Sequence, residues 1–334
     1  MNSERSVILE SVELGFQWPT IDPFLFCVHH LDHYPAGDGS FGPNQSLAGR
    51  NLGMDFEPRD GWRMYHGETV PGFPAHPHRG FETVTYVRQG LIDHSDSLGA
   101  AARFGRGDTQ WLTAGAGIVH AEMFPLLDET GPNTAELFQI WVNLPSSRKM
   151  AEPSFMIRWD HEQPVFTDGM TVRVVAGELG GESAPAAPPD SWAADPDNEF
   201  AIWEMRGAPG TALALPSASP GVGRMLYVFE GEGSLDSGEA LRPNSGNRLD
   251  ATIGAQIIAG GSGICALVLQ SRPIGEPVAQ HGPFVMNTRA ELMTAYEDYQ
   301  ATRFGGWPWP ADDPVHEGDR FARHPDGRTT HPAA

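Results

Sequence analysis

Basic residues are scarce in this chain. Its 334 residues include 22 lysines and arginines against 43 aspartates and glutamates, a formal net charge of −21, and Lys149 is the only lysine. A chain this acidic repels nucleic-acid backbones and anionic lipid surfaces. The composition therefore predicts that neither nucleic acid nor a membrane is its direct ligand.

Cysteines and long apolar runs are also nearly absent. Cys27 and Cys265 lie far apart within apolar segments, so they predict buried thiols and exclude a disulfide framework. No stretch approaches the ~18 uncharged apolar residues of a membrane span, and the first residues lack the positively charged start of a secretory signal. We therefore expect a cytoplasmic protein.

Turn-forming residues, in contrast, are abundant. The 39 glycines and 29 prolines divide the chain into short apolar runs, which favours many short strands over long helices. One segment, residues 287–305, has a helical pattern, with Asn287 or Thr288 as N-cap and Gly305 just beyond the end. The sequence predicts an all-β protein with a short C-terminal helical tail.

A weak internal repeat suggests how the strands are organised. Residues 82–99 resemble residues 224–238: in each, a strand ends in Tyr-Val and a glycine turn leads to a second strand. The simplest interpretation is two similar β-barrels in tandem. The predicted division is a first barrel at 1–145, a linker at 146–164, a second barrel at 165–275 and a tail with the helix at 276–334.

Two short motifs predict a metal site. In "HPHRGFETVTYV" (76–87), His76 and His78 are two residues apart, so on a strand their side chains share a face. His120 and Glu122 repeat that spacing in a second β-like segment. Three imidazoles and one carboxylate around one point suit a divalent metal, iron first, with nickel, copper, manganese and zinc as alternatives.

At these residues the chain resembles the pirin family of the cupin superfamily. The resemblance rests on "HPHRGFETVTYV" and on "GDTQWLTAGAGIVHAE" (107–122), and it extends to "DPFLF" (22–26) and "IWVNLP" (140–145). It implies two tandem cupin (double-stranded β-helix, or jelly-roll) barrels. It also implies one divalent metal in the N-terminal barrel, held by His76, His78, His120 and Glu122.

Three features qualify the resemblance. The general cupin pattern HxHxxxE would make Glu82 a ligand, whereas the family takes its carboxylate from the second motif, so we expect Glu82 outside the site.

Residues 34–70 exceed the length typical of the family. They are expected to form either a surface excursion or a lid with Tyr65 and His66 near the opening and Trp62 or Met64 beneath. No histidine lies between His161 and His281, so the second barrel is not expected to hold a comparable metal.

The resemblance implies an oxygenase of the quercetin 2,3-dioxygenase type. Its partners would be a small aromatic or flavonol-like substrate and dioxygen, and Glu122 would be the catalytic base that accepts a phenolic proton. The alternative is a non-enzymatic, redox-sensitive regulator that acts by binding another protein. A third possibility is a metal-binding barrel whose substrate is unrelated to flavonoids.

Overall fold

The computed structural model describes residues 6–333. The first half of the chain consists of strands β1 Ile8–Glu13, β2 Phe24–Tyr34, β3 Gly72–His78, β4 Phe81–Gln89, β5 Leu91–Asp96, β6 Ala101–Gly105, β7 Thr109–Thr113, β8 Ile118–Met123, β9 Asn133–Asn143 and β10 Ser154–Arg158. The second half continues with β11 Val165–Asp168, β12 Met170–Ala176, β13 Glu178–Leu179, β14 Glu182–Ser183, β15 Ala201–Gly207, β16 Ala212–Leu215, β17 Gly223–Leu235, β18 Ala240–Leu241, β19 Ser245–Leu249, β20 Ala255–Ser271, β21 Ala279–His281, β22 Phe284–Met286, β23 Phe321–Arg323 and β24 Thr329–Thr330.

Helices are few among the described residues. The α-helix α1 spans Arg289–Thr302, and short 3-10 helices lie at Asp160–Glu162, Trp192–Ala194, Pro196–Asn198 and Arg303–Gly305. Thr288 caps α1, and its side chain and that of Glu291 form a reciprocal capping box. The prediction of an all-β protein with a short C-terminal helix is confirmed. No helix within residues 6–333 is both long and apolar enough to cross a bilayer.

One compact unit comprises the residues up to Val28 together with Glu162–Gly275. Its main sheet has the strand order β1-β19-β17-β20-β15-β12-β11, with β16 also paired to β20 and β18 to β17. The core consists of alternating β-branched and large apolar side chains on these strands, among them Val172, Val174, Trp203 and Leu226.

The other unit comprises His29–His161 and the residues from Glu276 onward. It contains two larger sheets, with orders β10-β7-β4-β9-β2 and β24-β23-β6-β5-β8-β3. Buried residues such as Phe104, Leu112, Ile118 and Phe155 form its core. All the predicted metal-site residues lie in this unit.

The compact units interleave along the chain, whereas the predicted division is sequential. Strand β1 pairs with β19, for example Val12 opposite Gly246, and the residues after Glu276 belong with the first motifs. The boundaries at residues 145, 164 and 275 stay a prediction.

Candidate metal centre

Two paired strands bring the predicted histidines together. Strands β3 and β8 are antiparallel, with His76 directly opposite His120 and His78 opposite Ile118. Because side chains two residues apart on a strand share a face, His76, His78 and His120 all point to the same side of the sheet. The two-residue spacing within each motif therefore produces a cluster through an ordinary strand register.

The three imidazoles lie close enough to share one ion. Ring centroids are 4.5 Å apart for His76 and His120, 4.8 Å for His76 and His78, and 4.9 Å for His78 and His120. One nitrogen from each ring lies within 4.8 Å of the others. Within residues 6–333, these histidines form a group that could hold a metal ion.

The hydrogen bonds of the rings fit metal binding. His76 donates from Nδ1 to the Pro74 carbonyl at 2.8 Å, which leaves Nε2 as the lone-pair nitrogen. The Nδ1 of His78 lies 3.4 Å from the Pro283 carbonyl, a weaker contact. Neither ring nitrogen of the buried His120 has a hydrogen-bond partner among the described residues. A buried imidazole without hydrogen bonds is energetically costly unless one of its nitrogens binds another group, such as a metal ion.

Burial also keeps these rings neutral. It lowers the pKa of His76 to about 4, and it lowers the pKa values of His78 and His120 well below the usual range, with neighbouring histidines adding to the effect. Neutral imidazole is the form that binds metal ions. The cluster therefore needs no proton release at neutral pH to accept an ion.

Glu122 lies on the same face of β8 but outside the histidine group. It is opposite Phe73 on β3. Its Oε2 accepts from Gln139 Nε2 at 3.0 Å, and its Oε1 lies 3.2 Å from the Thr85 hydroxyl. Burial raises its pKa, while His94, Thr85 and Gln139 oppose that shift. Each carboxylate oxygen keeps a lone pair beyond these contacts.

Glu82 lies on a different surface. It accepts a hydrogen bond from the Thr113 hydroxyl at 2.7 Å. Its neighbour Phe81 contacts the His78 ring, with centroids 5.1 Å apart, and successive strand residues point to opposite faces. The side chain of Glu82 is therefore directed away from the three imidazoles.

Several residues around the cluster lie outside the two predicted motif pairs. Thr85 and Gln139 hold Glu122, and their hydroxyl and amide oxygens are 2.5 Å apart. On strand β5, His94 lies opposite Glu122, and its Nε2 is 3.0 Å from the Asp96 carboxylate in a fully buried pair. The available signal was a polar residue at an inward position of an apolar strand, as in "FETVTYV" and "AELFQIWVNL".

The insert at residues 34–70 contributes residues beside the cluster, but not in the predicted way. The expectation that Tyr65 lies near an opening is wrong, because Tyr65 is fully buried. Its hydroxyl donates to Asp32 at 2.6 Å and lies 2.8 Å from His30 Nδ1. Trp62 and Met64 are buried as expected. His66, in contrast, is exposed, and its ring lies 5.8 Å from that of Phe73.

Arg79, next to His78, is committed to structural contacts. Its guanidinium pairs with Asp298 at 2.7 Å and donates to the Ala116 carbonyl at 2.6 Å. It also lies over the Phe304 ring at 4.4 Å. These contacts attach α1 and the residues that follow it to the end of the metal-site strand, so Arg79 is not a free cation for a substrate.

Comparisons with known proteins place the chain among related sequences. The chain matches the pirin family over residues 17–142 and the pirin C-terminal cupin domain over residues 202–305. A pirin-like protein of Solanum lycopersicum is 36% identical over 247 residues, covering 70% of this chain and 77% of the relative. A Pseudomonas aeruginosa protein with a provisional quercetin 2,3-dioxygenase name is 36% identical over 237 residues, covering 70% and 79%.

A solved structure extends the likeness to the fold. The crystal structure of quercetin 2,3-dioxygenase from Acinetobacter baumannii superposes with a TM-score of 0.69 at 26% identity, covering 90% of this chain and 98% of that one. The prediction of two cupin domains is thereby confirmed.

Proposed function

The chain belongs to the pirin family, and we propose that it is a metal-dependent dioxygenase of the quercetin 2,3-dioxygenase type. The observation that carries the proposal is the arrangement on β3 and β8. Three neutral imidazoles converge, and the hydrogen-bonded carboxylate of Glu122 lies on the same face of β8, two residues beyond His120. The names of the Pseudomonas and Acinetobacter relatives support the same reaction class.

We assign His76, His78, His120 and Glu122 as the ligands of one divalent metal. Three nitrogens and one hard oxygen suit iron, with nickel, copper, manganese and zinc as competitors. A metal held there would supply Lewis-acid and redox chemistry toward dioxygen.

The side chains around Glu122 define its part in the reaction. Gln139 donates to one carboxylate oxygen and the Thr85 hydroxyl lies beside the other, so the group is held in one orientation. Burial raises its pKa, which makes it a better proton acceptor than an exposed carboxylate. Glu122 would take the phenolic proton of a flavonol-like substrate, after which dioxygen cleaves the ring and carbon monoxide leaves.

The test is turnover of quercetin by iron-loaded protein. Loss of flavonol absorbance should accompany equimolar dioxygen uptake and carbon monoxide release. His120→Ala removes a proposed metal ligand, so the rate of turnover should fall at least about 100-fold. Changing a residue that only supports a ligand typically costs ~10–100-fold, and loss of the ligand itself should cost more. Full metal occupancy without any turnover would overturn the assignment and favour the regulatory alternative.

A further inference from the structure

An aromatic cluster joins the insert to the metal-site strand. It consists of Phe56 and His66 from the insert and Phe73 from β3. We propose that this cluster recognises the pendant ring of a phenolic substrate, with His66 Nε2 accepting a hydrogen bond from a hydroxyl on that ring. The inference rests on the proposed function and names the substrate feature that the site selects.

The cluster lies along a gradient of exposure that begins at the candidate metal centre. His120 is fully buried, His76 and Phe73 are half-buried, and His66 is exposed. Successive ring centroids are 4.5 Å apart for His120 and His76, 6.3 Å for His76 and Phe73, and 5.8 Å for Phe73 and His66. Aromatic rings thus connect the buried histidines to solvent without a break.

An irregularity in β3 gives Phe73 its place in this series. Phe73 and His76 are an odd number of residues apart, so a regular strand would point them to opposite faces. The register shifts between them, and Phe73 pairs with Glu122 while His76 pairs with His120. Such a bulge redirects a side chain. Phe73 therefore lies on the same face as the candidate ligands.

His66 is oriented to accept a hydrogen bond. Its Nδ1 lies 2.6 Å from the Gly53 carbonyl, and because a carbonyl oxygen only accepts, Nδ1 carries the proton. The neutral ring then has Nε2 as its acceptor. Phe56 and Phe73 both meet the imidazole edge-on, at 73° and 75°, which fixes its plane.

These features fit a hydroxylated aromatic ring. The ring would pack on Phe56 and Phe73, and its hydroxyl would donate to His66, while the chelating part of the same molecule reaches the histidine cluster. A small chelator without a pendant ring would reach the histidine cluster without contacting His66. This difference separates the proposal from a purely structural role of the insert.

The experiment compares three ligands by calorimetry on metal-loaded protein without dioxygen. They are quercetin, a flavonol with an unsubstituted pendant ring, and a 3-hydroxy-4-pyranone with no pendant ring. The wild type should bind quercetin about 3–10-fold more tightly than the unsubstituted flavonol, the effect of one hydrogen bond. His66→Phe keeps an aromatic ring but removes the acceptor, so it should abolish this preference and leave pyranone affinity unchanged.

His331→Phe is the matched control, since His331 is also exposed and has Nδ1 3.2 Å from a backbone carbonyl; it should behave like the wild type. A preference retained in His66→Phe, an equal loss of pyranone affinity, or no flavonol binding would each overturn the inference. A preference that depends on His66 without turnover would reject the proposed dioxygenase reaction alone.

Discussion

Two buried glutamates of this protein, Glu122 on β8 and Glu82 on β4, point in different directions relative to the histidine cluster. Glu122 faces the histidine cluster and is held by Gln139 and Thr85. Glu82 points from the opposite face of β4 and is held by Thr113. Both could complete a cupin-like ligand set by sequence spacing. Because one residue along a strand reverses the side chain, only Glu122 is available to the cluster.

We therefore expect unequal effects from two matched substitutions. Glu122→Gln removes the negative charge from the proposed ligand set and should lower metal affinity by about 100-fold or more. Glu82→Gln should cost about tenfold at most, the lower end of the ~10–100-fold effect of residues that support a ligand. Elemental analysis after dialysis against a competing chelator measures both. Equal metal loss would mean that the carboxylate ligand is placed wrongly.

At this scale the sequence predicts the histidine cluster well and its surroundings poorly. The shared face of His76 and His78 follows from the two-residue period of any strand, so it requires no knowledge of the fold. Thr85 and Gln139 reach Glu122 only because β4 and β9 belong to the sheet that faces β8. Which strands face each other is a property of the whole unit and leaves no mark on a short segment.

The insert is held to the unit by a buried polar network. Arg63 pairs with Asp32 at 3.0 Å, and the Tyr65 hydroxyl donates to the other oxygen of Asp32. Tyr65 has φ of +57°, a left-handed conformation that costs about 1–2 kcal/mol in a residue with a side chain. The hydrogen bonds of Tyr65 offset that strain. This element is therefore a folded part of the unit, although composition alone suggests a surface excursion.

Tyr65→Phe tests the anchoring of the insert. It removes one hydrogen bond from His30 and one from the buried Asp32 carboxylate, so the free energy of unfolding should fall by about 1.5–3 kcal/mol. Metal content should not change, and backbone amides at Asp55 and Gly67 should exchange faster with deuterium. Chemical denaturation and hydrogen exchange measure these effects.

Tyr34→Phe is the control for that substitution. Tyr34 is equally buried on β2, but its hydroxyl donates to the neutral carbonyl of Arg63 at 2.8 Å. Its loss should cost about 1 kcal/mol. If the two variants are equally stable, or if Tyr65→Phe loses metal, the network does not have the anchoring role assigned to it.

At the scale of the molecule, the residues after Glu276 are an integral part of the metal-binding unit. Strand β23 pairs with β6, placing Ala322 opposite Ala102. The indole of Trp309 donates to the Asp96 carbonyl at 2.8 Å. The buried ion pair of Arg103 and Asp93 makes further hydrogen bonds with this segment: Arg103 donates to the Gly318 carbonyl, and Asp93 accepts from the His316 backbone amide.

Such long-range pairings do not follow from the sequence pattern. Short strands rich in glycine turns indicate the all-β class, and the repeat indicates two domains. The pairing of β1 with β19 and of β23 with β6 joins segments more than 200 residues apart. Strands of six and three residues carry little hydrophobic pattern of their own, so their partners are decided by the space left in each sheet.

A shortened chain ending at Gly275 tests the importance of the C-terminal segment. It removes the buried residues Phe284, Val285 and Met286, each contributing about 1.5–3 kcal/mol through burial, and it strips Arg103 and Asp93 of partners. The sum is comparable to the ~5–15 kcal/mol stability of a domain. The His29–His161 part should therefore lose its cooperative thermal transition, and metal uptake should fall with it, although all four proposed ligands remain.

A chain ending at Asp326 is the control, because it lacks only β24 among the strands and should melt within a few degrees of the full-length protein. Retention of both metal and cooperative melting by the chain ending at Gly275 would show that the segment is a dispensable tail.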